Sequence, residues 1–127
     1  MSALPIICNL EAIPEGQRIR HQTASQALFA QVQTITELPD GYQFAFPAEL
    51  LAPIAEFIAL ERLCCAFWDF ALLAPPGSDQ VVLTLGGGPD VKLIFYEGMA
   101  ADLAAADPTW QALVDKLPRP SRADQTG

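Results

Sequence analysis

The chain of 127 residues has little of what most common chemistries require. It has one histidine, His21, so neither a two-histidine metal site nor a hydrolase built on several imidazoles has the side chains it needs. It has few basic residues, 7 against 15 acidic ones, and a net charge of -8. That balance repels phosphate backbones and anionic lipid surfaces. Arg18, Arg20 and His21 form one small cluster with no interleaved aromatics, so no nucleic acid is expected as a partner. No apolar run approaches a membrane span, and the start of the chain has no secretory pattern of a basic end, apolar centre and small-residue cleavage site. The expectation is a cytoplasmic protein with no membrane partner. Gly86-Gly87-Gly88 lacks the spacing of a dinucleotide fingerprint and is not followed by the Gly-Lys-Ser/Thr of a phosphate loop. Ser78 has no neighbouring base, which argues against a serine hydrolase.

Cysteine is scarce as well. There are three, Cys8, Cys64 and Cys65, and an odd number in a cytoplasmic chain points to thiols rather than a disulfide framework. What is present is apolar: 51% of residues are hydrophobic, enough for a real core. One domain over residues 1–117 is expected, with a polar, proline-containing tail, 118–127, that is disordered.

Ala3 to Leu10 reads as an edge strand or extended lead-in. From Glu15 to about Thr34, Ile19, Ala24, Leu28, Val32 and Ile35 recur at helical spacing, with His21 on or beside the stripe. Pro39-Asp40-Gly41 between Thr34–Leu38 and Tyr42–Phe46 predicts a β-hairpin whose Tyr42, Phe44 and Phe46 share one face. A second helix runs from Pro47 to about Leu63, with an apolar stripe of Leu50, Leu51, Ile54, Phe57 and Ile58. Phe67–Leu73 and Val81–Leu85 form a second hairpin. Pro89 then opens a helix through Val91–Tyr96 that Gly98 ends. Asp107 and Pro108 cap a last one bearing Trp110, Leu113, Val114 and Leu117. The fold class is α+β, an antiparallel sheet of about four strands in two hairpins with helices packed on one face.

The stretch Glu61-Arg62-Leu63-Cys64-Cys65-Ala66-Phe67-Trp68 carries the chemistry. Helical phase continues the apolar stripe through Glu61 to Cys64 and Cys65 and turns Arg62 outward. A bond between adjacent cysteines would be strained, so the two side chains are expected to diverge, one toward the core and one toward a surface or cleft. A bare thiolate is disfavoured by the helix C-terminus and by Glu61, although Arg62 is near and Lys92 could approach through the fold. A bound cation would reverse that penalty. The metal-ligand candidates are Cys64, Cys65 and Glu61, with Cys8 and His21 if the first segment folds back. The plain alternatives are buried cysteines, a hydrogen-bonded structural histidine, and an ion pair of Glu61 with Arg18, Arg20, His21 or Lys92.

Cys8-Asn9-Leu10, the Arg18/Arg20-His21 cluster, Asp40-Gly41-Tyr42 and Glu61-Arg62-Leu63-Cys64-Cys65-Ala66-Phe67 resemble a group of small bacterial proteins of unassigned function. Their mark is a Glu-Arg-x-Cys-Cys-x-Phe signature. It is similar to a segment in domains attached to some mercury-responsive-type regulators. The resemblance covers roughly residues 8 to 97 and departs from the group's pattern at Gly86 to Asp90. It implies roles for Glu61, Arg62, Cys64, Cys65 and Phe67, then for Cys8, Arg18 and His21, with Arg62, Phe67 and Arg18 as ligand-binding residues.

The function expected is a small domain that binds a thiophilic ligand, a soft metal ion or an electrophile, through the vicinal pair. Two alternatives stand beside it: a thiol enzyme acting on a small molecule, and a structural module that forms a homodimer with its cysteines in the core. Whether the chain is an enzyme is left open.

Overall fold

In the computed structural model, residues 10–65, 67–99 and 110–120 are described. The expected lead-in as far as residue 9, Cys8 included, the Asp107-Pro108 cap and residues 121–127 of the tail lie outside them.

After a short 3-10 turn at Leu10–Ala12, helix α1 spans Glu15–Phe29, with the carboxylate of Glu15 in the first turn where the helix dipole favours it. It buries His21, Ser25, Leu28 and Phe29, an i, i+4, i+7, i+8 set on one face. The helix stops five residues before the end that spacing suggested, and Ile19, expected in its apolar stripe, is 78% exposed. Val32 is buried beyond the helix, and Ile35 belongs to strand β1, Thr34–Leu38. The β-branched run Thr34-Ile35-Thr36 goes to the sheet, where stiff side chains pack well, and its agreement with helical spacing is a coincidence.

Strand β2, Gly41–Pro47, returns from the Pro39-Asp40 turn in register Leu38↔Gly41 to Thr34↔Ala45. Gly41 is required by packing: a Cβ there would collide with the carbonyl oxygen of Leu85. A 3-10 turn at Ala48–Leu50 leads into helix α2, Leu51–Cys64, with Pro53 harmless in the first turn. Leu51, placed on the stripe from sequence, is 40% exposed, and the buried positions are Ile54, Phe57 and Cys64. Strands β3, Asp69–Leu73, and β4, Gln80–Gly86, form the second hairpin, β3 starting two residues later than expected. Gly88, at φ 106, turns the chain into helix α3, Pro89–Ile94, which runs into a π-helical turn at Phe95–Met99. The last described helix is α4, Gln111–Lys116.

The sheet order is β1-β2-β4-β3, antiparallel throughout, so the second strand of each hairpin lies at the centre. Tyr42, Phe44 and Phe46 of β2 stand opposite Leu85, Leu83 and Val81 of β4, and all six are buried. Above them Phe29 of α1 meets Phe44 and Phe46 at 5.5 Å and Phe57 of α2 at 5.2 Å, each edge to face. The fold is α+β, with a four-stranded antiparallel sheet. Three polar ties fasten the periphery. Lys92 Nζ donates to Glu37 Oε2 at 2.7 Å and to the Leu38 carbonyl at 2.9 Å. Lys116 Nζ donates to the Val32 carbonyl, and the Tyr42 hydroxyl to the Pro118 carbonyl, both at 2.8 Å. Among the described residues no helix is long and apolar enough to cross a membrane.

Candidate functional site at the end of helix α2

The last turn of α2 closes when the backbone N–H of Cys65 donates to the Glu61 carbonyl at 2.7 Å. That bond fixes Cys64 and Cys65 one turn beyond Glu61. Cys64 is 5% exposed and Cys65 1%, so neither sulfur lies on the surface. They do not diverge: the two Sγ atoms are 3.7 Å apart. Rotation about each Cα–Cβ bond lets adjacent side chains converge, and both cysteines belong to the buried core that also holds Phe67 and Trp68.

The expectation of thiols throughout also needs correction. Cys65 is half of a disulfide, whereas Cys64 is not in one. A separation of 3.7 Å is far beyond a sulfur–sulfur bond of about 2.05 Å, so the two neighbours are not bonded to each other. An odd cysteine count constrains parity and says nothing about one intrachain bond.

One turn back, Glu61 Oε1 lies 2.8 Å from His21 Nε2 of α1, with the histidine side chain 5% exposed and the glutamate 19%. A carboxylate only accepts, so Nε2 is the donor. The ring of His21 stacks on Phe57 at 5.7 Å and 22°. The Ser25 hydroxyl donates to the His21 carbonyl at 2.7 Å and holds its turn of α1. Beside this pair, His21, Ser25, Phe57 and Leu60 help to line a small cleft between the two helices. Of the four partners weighed for Glu61, the fold selects the histidine, and the negative charge near a helix C-terminus gains a donor that offsets the dipole.

The remaining candidates go elsewhere. Arg18 Nε donates to the Ile13 carbonyl at 3.0 Å and its Nη2 to that of Glu11 at 3.3 Å, which ties down the turn before α1. Arg20 meets Glu56 at 3.4 Å as an exposed pair of small energetic weight. Arg62 is exposed, as helical phase requires. Phe67 packs on Trp68 at 5.4 Å, and Trp68 on Phe95 at 5.4 Å, so its ring serves the core. Lys92 is engaged by Glu37 and not by the thiols. Among the described residues no group of three or more His, Cys, Asp and Glu side chains is placed to hold a metal ion. The expected ligand set therefore divides into two pairs, Cys64 with Cys65 and His21 with Glu61, and Cys8 lies outside the described residues. Sequence reasoning missed the stacking of His21 on Phe57, although each was placed on or beside the apolar stripe of its own helix.

Comparison of the chain with protein-family models, with curated proteins and with solved structures gives no significant match.

Proposed function

We propose that the protein captures a thiophilic ligand, a soft metal cation or an electrophile, between the sulfurs of Cys64 and Cys65. The observation that supports this most is their 3.7 Å separation. Two thiolates on one tetrahedral cation at about 2.3 Å each are about 3.8 Å apart, so the pair has the bite of a chelate once the disulfide of Cys65 is reduced. The donor set fits a soft ion as a pair, and the remaining coordination positions would be filled by the ligand's own groups or by solvent. A cation would also supply positive charge at a helix end that disfavours free thiolates. Burial of both sulfurs suits retention, since a desolvated soft ion has few competitors there.

His21 and Glu61 support the site from one turn away by pinning α2 to α1. The setting is the cytoplasm, and at a net charge of -8 the partner is a small cation or electrophile rather than a polyanion. Native mass spectrometry of the reduced protein with zinc(II) should show one ion per chain, lost in Cys64→Ser and in Cys65→Ser. Uptake should release protons and strengthen as pH rises, because the ligands bind as thiolates. Uptake unchanged in both variants would remove the proposal.

A further inference from the structure

The inner face of the sheet is sealed by the core residues of β2 and β4, and the alternate residues of each strand point the other way. On that outer side the register joins Thr34, Ala45, Val82 and Leu73 in one rank across all four strands. Gln43 stands opposite Thr84 at the centre of the next rank. Among the described residues, the core cluster and the side chains packed on it include none of Ala45, Val82 and Leu73, and Leu73 is 60% exposed. The chain carries a net charge of -8, yet Asp69, at the end of edge strand β3, is the one charged residue that the four strands place on this face. Glu37 falls on the inner side, where it accepts from Lys92. We infer that the outer face of the sheet joins a second copy of this chain, face to face about a two-fold axis that passes between β2 and β4.

The charge pattern identifies the occupant. In a two-fold interface a residue near the axis meets its own image, so a charge of either sign there faces a like charge. A face that serves a second copy must therefore be neutral at its centre, and Ala45, Val82, Gln43 and Thr84 are. A basic partner would be drawn instead to the acidic remainder of the surface. Alanine and valine pack on their own images, and the amide of Gln43 and the hydroxyl of Thr84 each offer both a donor and an acceptor, so they can pair with theirs. Two chains of net charge -8 repel, and an uncharged face lets them approach without bringing carboxylates together. The two sheets stack as the layers of a sandwich do, about 10 Å apart. A face of four strands is small, so the association is reversible and grows with concentration. It is independent of the capture function proposed above.

Sedimentation velocity of the full-length reduced chain, from micromolar to sub-millimolar concentration, should show the mass rising from one chain toward two. Val82→Lys brings two ammonium groups together near the axis and Val82→Glu two carboxylates, so each variant alone should stay monomeric while keeping a cooperative urea transition. Mixed in equal amounts the two should associate again, because opposite charges then meet. Leu73→Lys, at an exposed position of the same rank, should weaken the association at no cost to folding, and it decides the matter if the Val82 variants do not fold. Ile19→Lys, 78% exposed on α1, should leave the association unchanged. A wild type that stays a single chain throughout would overturn the proposal. So would a dimer that survives both Val82→Lys and Leu73→Lys, or one lost in Ile19→Lys, which would put the contact on the helix side. Folded Val82 variants that remain monomeric when mixed would overturn the two-fold arrangement.

Discussion

The molecule contains two similar units, α1 with the β1–β2 hairpin and α2 with the β3–β4 hairpin, and they solve the same packing problem with different side chains. The inner strand of the first is aromatic, Tyr42, Phe44 and Phe46, and that of the second aliphatic, Leu85, Leu83 and Val81, residue opposite residue. The helix of the first unit ends at Phe29, which enters the shared core and touches three other phenylalanines. The helix of the second ends in Cys64 and Cys65. Bulk supplied by one unit leaves the other free to spend its helix end on small, polarizable sulfur. The proposed chemistry is therefore confined to the second unit, and the first contributes His21, which meets Glu61 of that unit.

The sharpest way to break that contrast is to truncate facing residues of the two inner strands. Phe44 and Leu83 are paired and both 0% exposed. Phe44→Ala should cost about 3–5 kcal/mol and Leu83→Ala about 2–5, with the phenylalanine the costlier of the two because Phe29 loses an edge-to-face partner as well. Urea midpoints of the two variants decide it. A larger loss from Leu83→Ala would mean that the aromatic strand is not the hub.

These two strands were also the most legible part of the sequence. Period-two aromatics after Pro39-Asp40-Gly41 leave few alternatives to a hairpin, and the glycine proved necessary for the approach of Leu85. The end of α1 was not legible, because Val32 and Ile35 keep helical spacing after the chain has left the helix. At the site, helical phase turned Arg62 outward, and it is exposed; it also grouped Glu61 with the cysteines, whereas the carboxylate meets His21. It could not choose among four partners for Glu61, since His21 is forty residues away and reaches it only through packing of α1 on α2. The state of Cys65 was out of reach for another reason. Composition speaks to compartment, whereas a disulfide depends on two sulfurs meeting in space.

A second contrast concerns the ion pairs. His21–Glu61 and Lys92–Glu37 each join a buried nitrogen donor to a glutamate side chain that is 19% exposed. Lys92 has the additional Leu38 carbonyl as an acceptor. Lys92→Met should cost about 1–3 kcal/mol, mostly through the lost hydrogen bonds to Glu37 and the Leu38 carbonyl. The double variant Lys92→Met with Glu37→Gln should be less destabilised than the sum of the single ones, which a double-mutant cycle by urea denaturation measures. Strict additivity would show that the pair is not coupled and that packing of the lysine stem carries the cost.

The smallest effect expected is at Tyr42, the position where the aromatic strand differs from its aliphatic counterpart Leu85 by a polar group. Burial, then the negative charge of Glu37, then Tyr96, push its phenol well above the ordinary value of about 10. The folded state thus binds the phenolic proton more tightly than the unfolded chain does. The resulting stability is fully present below the unfolded value of about 10 and is lost as pH rises through it toward the folded one. Tyr42→Phe removes the hydrogen bond to the Pro118 carbonyl and should cost about 0.5–1.5 kcal/mol at neutral pH. It should also remove this residue's share of alkaline destabilisation, so the deficit relative to wild type should narrow above about pH 10. Urea midpoints for both proteins from neutral to alkaline pH test this, and a gap that stays constant or widens would show that Tyr42 ionises as readily in the folded chain as in the unfolded one.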